Sequence, residues 1–385
     1  MLSRQGCTAR RQRLWQKMPS ALDVILIHDP KHLVYFANLF VSPFSFRAND
    51  AQAALILTRD KCCLLVDNLL EPHAAQAYVD EVRLYPWYQC IEPPRPRGSA
   101  LFDQIISQLE QWLPGHGGCI GIESSSLPMG FFQAWERVGN PTSFVPIDDT
   151  LQKLRRAKDA DELALLQRSA NIAAEAMDAA LTLIQPGMSE LELFQFVQDR
   201  CTRSAGEPVQ VYGDFASGER TLAGGGPPSS KLIQKGDLVI LDFSVVLWHY
   251  RSDFANSWVV GAKPTVAQQR QYQCCLDALQ AGAALLKPGQ SCAAIYQAVW
   301  ESFRQQSMER YFPHHAGHGI GLSHPESPFL VPESQESLQP GDVITLEPGL
   351  YIPATGGTRV ERNYVITDMG ATCISGHQLA LSPHK

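Results

Sequence analysis

Between Asp23 and about Thr150 the chain alternates short apolar runs with stretches of helical periodicity. The runs 24–27, 54–58 and 63–67 are dominated by Val, Ile, Leu, Ala and Cys and are too short for helices, so they predict strands. Residues 100–113 carry apolar side chains at helical spacing and predict a helix; Pro93, Pro94, Pro96 and Gly98 just before it predict a loop. A second break, from Asn140 and Pro141 to Pro146, precedes a change of texture. From 151 to 183 apolar positions such as Leu163, Leu166, Ile172 and Ala176 recur every three or four residues. Asp161 and Glu162 come early in that stretch, where the positive end of a helix favours acids. The pattern predicts a long helix with room for one break and a boundary near Asp148: an α/β domain over 1–148 and a second domain over 149–385.

The second domain contains a weak internal repeat. Residues 184–194 (Ile-Gln-Pro-Gly-Met-Ser) resemble 286–296 (Leu-Lys-Pro-Gly-Gln-Ser), and Lys-Gly-Asp at 235–237 resembles Pro-Gly-Asp at 340–342. Pro186 and Pro288 are 102 apart, Gly236 and Gly341 105 apart, so the two matches keep their order and nearly their offset. Helix, loop, turn and strand are therefore predicted twice. Each repeated strand ends on a carboxylate, Asp242 and Glu347, and two related halves facing one another would bring those ends to one centre.

Composition narrows the range of functions. Hydrophobic residues make up 45% and charged residues 18% of 385, enough apolar surface for a folded core. A formal net charge of -7 argues against nucleic-acid binding through bulk charge. The apolar runs 24–27 and 238–241 fall far short of the ~18 residues a membrane span needs. The first 17 residues hold Arg4, Arg10, Arg11, Arg13 and Lys17 with no acid. That suits a targeting segment or, more simply, a short amphipathic helix over 10–18. Ten cysteines without a CxxC pair or regular spacing fit reduced thiols in a cytoplasm rather than a zinc ribbon or a disulfide framework.

Asp242 and Asp253 flank what reads as a hairpin turning near Leu247 and Trp248. Leu-Trp is poor chemistry for a two-residue turn, so a four-residue loop over 246–249 is expected, with Asp242 and Asp253 directly opposite on one face. Two such carboxylates repel unless a proton or cation lies between them. Glu347 and Glu361 repeat the arrangement across strands 345–351 and 358–367, joined through 353–357. His318 lies in the Gly-rich run His-His-Ala-Gly-His-Gly-Ile-Gly at 314–321. Four carboxylates and one imidazole suit one or two divalent ions such as Mn, Fe, Co or Zn. Two ions ~3.5–4 Å apart hold a bridging water and polarise the bond it attacks, which is hydrolytic equipment.

These residues resemble the pita-bread metallohydrolases, the family of methionine aminopeptidase, aminopeptidase P, prolidase and creatinase. The resemblance rests on Leu-Asp-Phe at 241–243, Ser-Asp at 252–253, Gly-His-Gly-Ile-Gly at 317–321, Leu-Glu-Pro-Gly at 346–349 and Arg-Val-Glu at 359–361. It extends over nearly the whole chain through 23–27 with 38–40, and through 154–162, which is similar to the family's linker helix. It implies a creatinase-like α/β domain followed by a duplicated α+β catalytic domain, with Asp242, Asp253, His318, Glu347 and Glu361 as ligands of two divalent ions, manganese first. The implied activity is Xaa-Pro aminopeptidase or Xaa-Pro dipeptidase cleavage of short peptides in a cytoplasmic homodimer. Glu347 would move the proton, His314 and His324 would meet substrate, and Arg359 would steady the second metal glutamate. The chain departs from the peptidase pattern twice. Gly225 stands where the family has a substrate histidine 17 residues before Asp242, and Pro325 stands where it has another seven after His318, the imidazole being His324. A glycine at 225 is expected to remove a donor and enlarge the pocket. That departure motivates the alternative of a hydrolase or lyase of a small amide or zwitterion; a non-catalytic binding module is the third reading.

Overall fold

The computed structural model describes residues 1–48, 51–113, 118–139 and 142–382, which form two compact units, Met1–Arg155 and Arg156–Lys385. The first unit opens with α1 (Arg4–Lys17), β1 (Val24–Ile27) and α2 (Pro30–Ala37). Helix α1 starts six residues earlier than its apolar pattern predicts, because the Ser3 hydroxyl accepts from the Gly6 N–H at 2.9 Å and caps it. Two of its arginines are tied into the unit. Arg10 donates to the Tyr35 carbonyl at 2.8 Å and Arg11 to the Tyr78 carbonyl at 2.9 Å.

Next come β2 (Ala53–Leu57), β3 (Cys62–Asp67), α3 (Glu71–Ala74), β4 (Glu81–Tyr85), α4 (Arg97–Trp112), β5 (Gly118–Ile122), α5 (Met129–Glu136), β6 (Thr142–Pro146) and α6 (Asp148–Arg156). The six strands form one mixed sheet in the order β4-β3-β2-β1-β5-β6, the α/β layer expected from the alternating pattern. Gly98, expected in the loop, lies in the first turn of α4, which follows Pro96 directly. Of the second break, Asn140 and Pro141 lie outside the described residues.

The second unit holds α7 (Ala160–Leu183), α8 (Glu190–Ala205), β7 (Gln210–Ser217), β8 (Leu238–Leu247), β9 (Tyr250–Arg251), β10 (Phe254–Val259), α9 (Val266–Ala283) and α10 (Cys292–Gln305). It ends with β11 (Gly317–Gly319), β12 (Glu326–Leu330), β13 (Val343–Leu346), β14 (Gly349–Ile352), β15 (Gly356–Arg359), β16 (Arg362–Thr367) and β17 (Gly370–Cys373). The long helix is broken once, at 157–159, where Asp159 and Glu162 form a capping box that starts α7.

The internal repeat is real at the level of hydrogen bonds. Ser189 and Ser291 cap α8 and α10. Gly187 N–H donates to Ile233 at 2.9 Å and Gly289 N–H to Leu338 at 2.8 Å; Gly236 N–H donates to Val260 at 2.7 Å and Gly341 N–H to Ile366 at 2.8 Å. Gly236 and Gly341 have φ of 90° and 88°, a turn conformation that side chains disfavour, which is why glycine recurs there.

Each half supplies a sheet, β7-β8-β10 and β12-β11-β13-β16-β17. They are tied at the strand ends. Glu361 N–H donates to the Ala255 carbonyl at 3.0 Å, Arg359 N–H donates to the Ser257 hydroxyl at 2.9 Å, and Asp253 N–H donates to Asn363 Oδ1 at 3.0 Å. Behind them Val299, Phe303, Ile344, Leu346 and Val360 are fully buried in one apolar cluster. The carboxylate-bearing ends are thus fixed from both sides.

Candidate metal centre

Asp242 and Asp253 share one face of the first sheet, but not as the sequence predicts. The register pairs Val246 with Arg251 and Ala255 with Asp242, so Asp253 falls across from Ser244, two residues from the expected partner. The turn is a tight one at Trp248 and His249, with φ of 53° and 67°, rather than a four-residue loop. Both side chains still face the same way because a slip of two preserves the face. In the other half Leu346 pairs with Arg362 and Gly349 with Arg359, so Glu347 and Glu361 lie directly across from each other at the interruption between those pairs.

The structure brings all five predicted residues together. Asp242, Asp253 and Glu361 present oxygens within 4.8 Å of one another, as do the ligand atoms of His318, Glu347 and Glu361. His318 Nδ1 donates to the Gly319 carbonyl at 2.9 Å, which leaves Nε2 as a bare acceptor. That nitrogen faces Glu347 Oε1 at 3.3 Å and Asp253 Oδ2 at 3.5 Å. A lone pair set among carboxylate oxygens calls for a cation. Glu361 Oε1 is buried without a partner, a second sign that a positive charge belongs here.

The electrostatics point the same way. Burial, with Asp253 and Asp214 adding, pushes Asp242 up to about 6 against the pull of Arg359. Burial and the neighbouring carboxylates hold Glu347 and Glu361 well above the usual range. At Asp253 burial works upward, but the His324 hydrogen bond and nearby imidazoles outweigh it and bring the group down to about 2. The donor set of hard oxygens and one neutral imidazole fits divalent cations.

The centre opens on a cavity of about 470 Å³. Of the expected substrate residues, His324 lines it, with Nε2 2.6 Å from Asp253 Oδ2. His314 does not line it. Its Nδ1 donates to the His315 carbonyl at 2.8 Å and its Nε2 accepts from the Tyr351 hydroxyl at 3.0 Å, while burial lowers it to about 4. The adjacent His315 takes the cavity position, 3.3 Å from Glu347 Oε1.

Arg359 steadies the first aspartate rather than the second glutamate. Its Nε donates to Asp242 Oδ2 at 2.7 Å and its Nη2 to Asp214 Oδ2 at 2.7 Å. Asp214 pairs across from Asp242 on β7, and it overturns the expectation of an enlarged pocket. A Cβ at Gly225, whose φ is +139°, would meet Asp214 Oδ2 at 2.1 Å. The space is filled, with an acceptor replacing a donor. The sequence reading missed Asp214, and nothing local marks it, because its place depends on pairing between β7 and β8. It also missed Arg251, two residues before Asp253 and on the cavity wall.

Comparison with known proteins identifies the family. The family model described as "Metallopeptidase family M24" matches residues 164–368, and "Creatinase/Prolidase N-terminal domain" matches residues 10–157. The uncharacterized peptidase YqhT of Bacillus subtilis is 34% identical over 256 residues, covering 66% of this chain and 72% of that protein. The Xaa-Pro dipeptidase of Pyrococcus horikoshii is 33% identical over 252 residues, covering 66% and 71%. Among solved structures, the Xaa-Pro dipeptidase from Bacillus anthracis superposes with a TM-score of 0.83 at 25% identity, covering 98% of this chain and 99% of that one. The prolidase from Pyrococcus horikoshii OT3 gives 0.82 at 26%, covering 97% and 99%. The chain belongs to metallopeptidase family M24, with a creatinase/prolidase-type N-terminal domain followed by a duplicated pita-bread domain.

Proposed function

We propose that this protein is a metal-dependent hydrolase that cleaves short Xaa-Pro peptides. The observation that carries the reading is the convergence of four carboxylates and an acceptor-only imidazole on one cavity. The relatives named as Xaa-Pro dipeptidases support the substrate class. Asp242, Asp253, His318, Glu347 and Glu361 hold two divalent cations, manganese first, with cobalt, iron or zinc as alternatives. When bound, such ions polarise the scissile carbonyl and lower the pKa of water. Glu347 Oε1 accepts a proton from the attacking water and returns it to the leaving nitrogen. Arg359 keeps the Asp242 carboxylate aimed at the centre, and His324 meets the substrate from the cavity wall. A homodimer in the cytoplasm completes the proposal; no helix among the described residues is long and apolar enough to cross a membrane.

A second reading, a hydrolase or lyase of a small zwitterion, is favoured by one observation: at Gly225 the cavity offers the Asp214 carboxylate where a donor was expected. Mass-spectrometric turnover of a pool of Xaa-Pro dipeptides, Xaa-Pro-Yaa tripeptides and proline-free controls, with Mn-loaded protein beside Glu347→Ala, separates the two. Proline-selective cleavage lost in the variant is expected. Tight metal binding without cleavage of any peptide would refute the peptidase reading in favour of the second.

A further inference from the structure

Two arginines line the cavity, and they differ in how far the protein already uses them. Arg359 is saturated: Nε and Nη2 engage Asp242, Nη2 also engages Asp214, and Nη1 donates to the Gly224 carbonyl at 2.6 Å and the Tyr351 hydroxyl at 3.0 Å. Arg251 is not saturated. Its Nε and Nη2 both donate to the Ser244 hydroxyl, at 3.1 and 2.8 Å, and its guanidinium leans over the Tyr212 ring at 5.9 Å. Among the described residues it forms no ion pair with a carboxylate, and its Nη1 meets no protein acceptor.

The position of Arg251 is as informative as its open valence. Ser244 Oγ, which receives both of its hydrogen bonds, donates in turn to Asp253 Oδ1 at 3.1 Å. The guanidinium therefore stands one hydroxyl away from a carboxylate of the centre. Across from Asp242 the cavity also carries Asp214, whose carboxylate is already paired with Arg359 at 2.7 Å. Of the two guanidinium groups on the cavity wall, Arg251 is the one with a donor left for a substrate carboxylate.

The bond count of a peptide then selects a length. In a dipeptide the free carboxylate carbon is three bonds from the scissile carbonyl carbon, through the leaving nitrogen and its α-carbon. In a tripeptide that position holds an uncharged amide. We propose that Arg251 is a specificity-determining residue that binds the free carboxylate of the leaving amino acid, which makes this chain a dipeptidase rather than an aminopeptidase of longer peptides. The inference rests on the peptidase reading above. Arginine suits the task because its planar fork matches a carboxylate with two parallel hydrogen bonds.

The test compares Ala-Pro, Ala-prolinamide and Ala-Pro-Ala as substrates of Mn-loaded wild type, Arg251→Met and Arg251→Lys. Calorimetric binding of proline against prolinamide serves as a readout without turnover. Wild type is expected to prefer the free acid by about 10- to 100-fold in kcat/KM, the range of a lost charge-assisted hydrogen bond. In Arg251→Met that preference disappears through a raised KM for the acid, the amide loses far less than the acid, and the preference for proline over prolinamide collapses; Arg251→Lys restores part of each. Equal treatment of acid and amide by wild type overturns the inference and leaves the peptidase reading standing, and it decides the matter even where the Met variant does not fold. A Met variant that slows acid and amide alike also overturns it, since that is the mark of a merely structural arginine. Failure of wild type to cleave any peptide overturns both.

Discussion

Gly225→Ala tests whether the cavity wall is built as described. The new Cβ would lie 2.1 Å from Asp214 Oδ2 and 2.6 Å from Asp214 Cβ, so rotating the aspartate does not clear it. The loop is not free to swing aside. Phe215 N–H donates to the Gly226 carbonyl at 2.9 Å and Arg359 Nη1 to the Gly224 carbonyl at 2.6 Å, on either side of the substituted residue. A side chain at φ +139° costs about 1–3 kcal/mol, and forced overlap in a packed wall adds about 1–3 kcal/mol. Loosening the Asp214–Arg359 pair adds less than about 1 kcal/mol, because the Asp214 side chain is 36% exposed and solvent screens it. The total is about 2–7 kcal/mol. In an Asp214→Gly background the overlap vanishes and only the backbone part, about 1–3 kcal/mol, remains. Urea unfolding of the four proteins of this double-mutant cycle measures the coupling, expected near 2 kcal/mol. Additive single changes, with coupling within about 0.5 kcal/mol of zero, would refute the close approach of residues 214 and 225.

Three further outcomes are expected. His318→Ala lowers the manganese retained per chain after dialysis, read by plasma mass spectrometry; unchanged stoichiometry would remove His318 from the centre. Lys158→Met removes the ammonium that donates to the buried Glu326 carboxylate at 2.8 Å and costs about 3–5 kcal/mol in urea unfolding, whereas adding Glu326→Leu recovers most of it. His377, stacked on Phe254 with ring centroids 4.5 Å apart, is lowered to about 3 by burial, with Arg362 adding. The folded protein keeps it neutral while the unfolded chain protonates it below its ordinary 6.5, so it withdraws about 1.4 kcal/mol of stability per pH unit as pH falls from 6.5 towards 3. His377→Phe should flatten that part of the acid limb, and parallel pH profiles of wild type and variant would contradict the assignment.

Much of the centre is legible in the sequence, because its parts obey local rules. The turns at Gly236 and Gly341 need glycine for their positive φ, so the repeat left the same dipeptide twice and placed Asp242 and Glu347 at matching strand ends. Acids that face one another at strand ends repel unless a proton or cation lies between them, so their pattern is readable as a candidate site. The substrate side is less legible. His314 and His315 are neighbours of the same type, and it takes the Tyr351 hydroxyl and the His315 carbonyl, which hold His314, to distinguish the imidazole that turns inward from the one that lines the cavity.

The sequence by itself carried the α/β fold class, the repeat and a candidate set of four carboxylates and one imidazole, since these follow from residue type, local periodicity and a repeat offset that can be read along the chain. Tertiary structure alone decided the register that sets Asp253 across from Ser244, the Trp248-His249 turn, the filling of Gly225 by Asp214 and the exposure of Arg251 to the cavity. The physical reason is range. Strand register and the occupancy of a gap come from the competition of many contacts between segments far apart in the chain, and a slip of two residues leaves the polar and apolar faces of a strand unchanged, so the hydrophobic pattern cannot distinguish the alternatives.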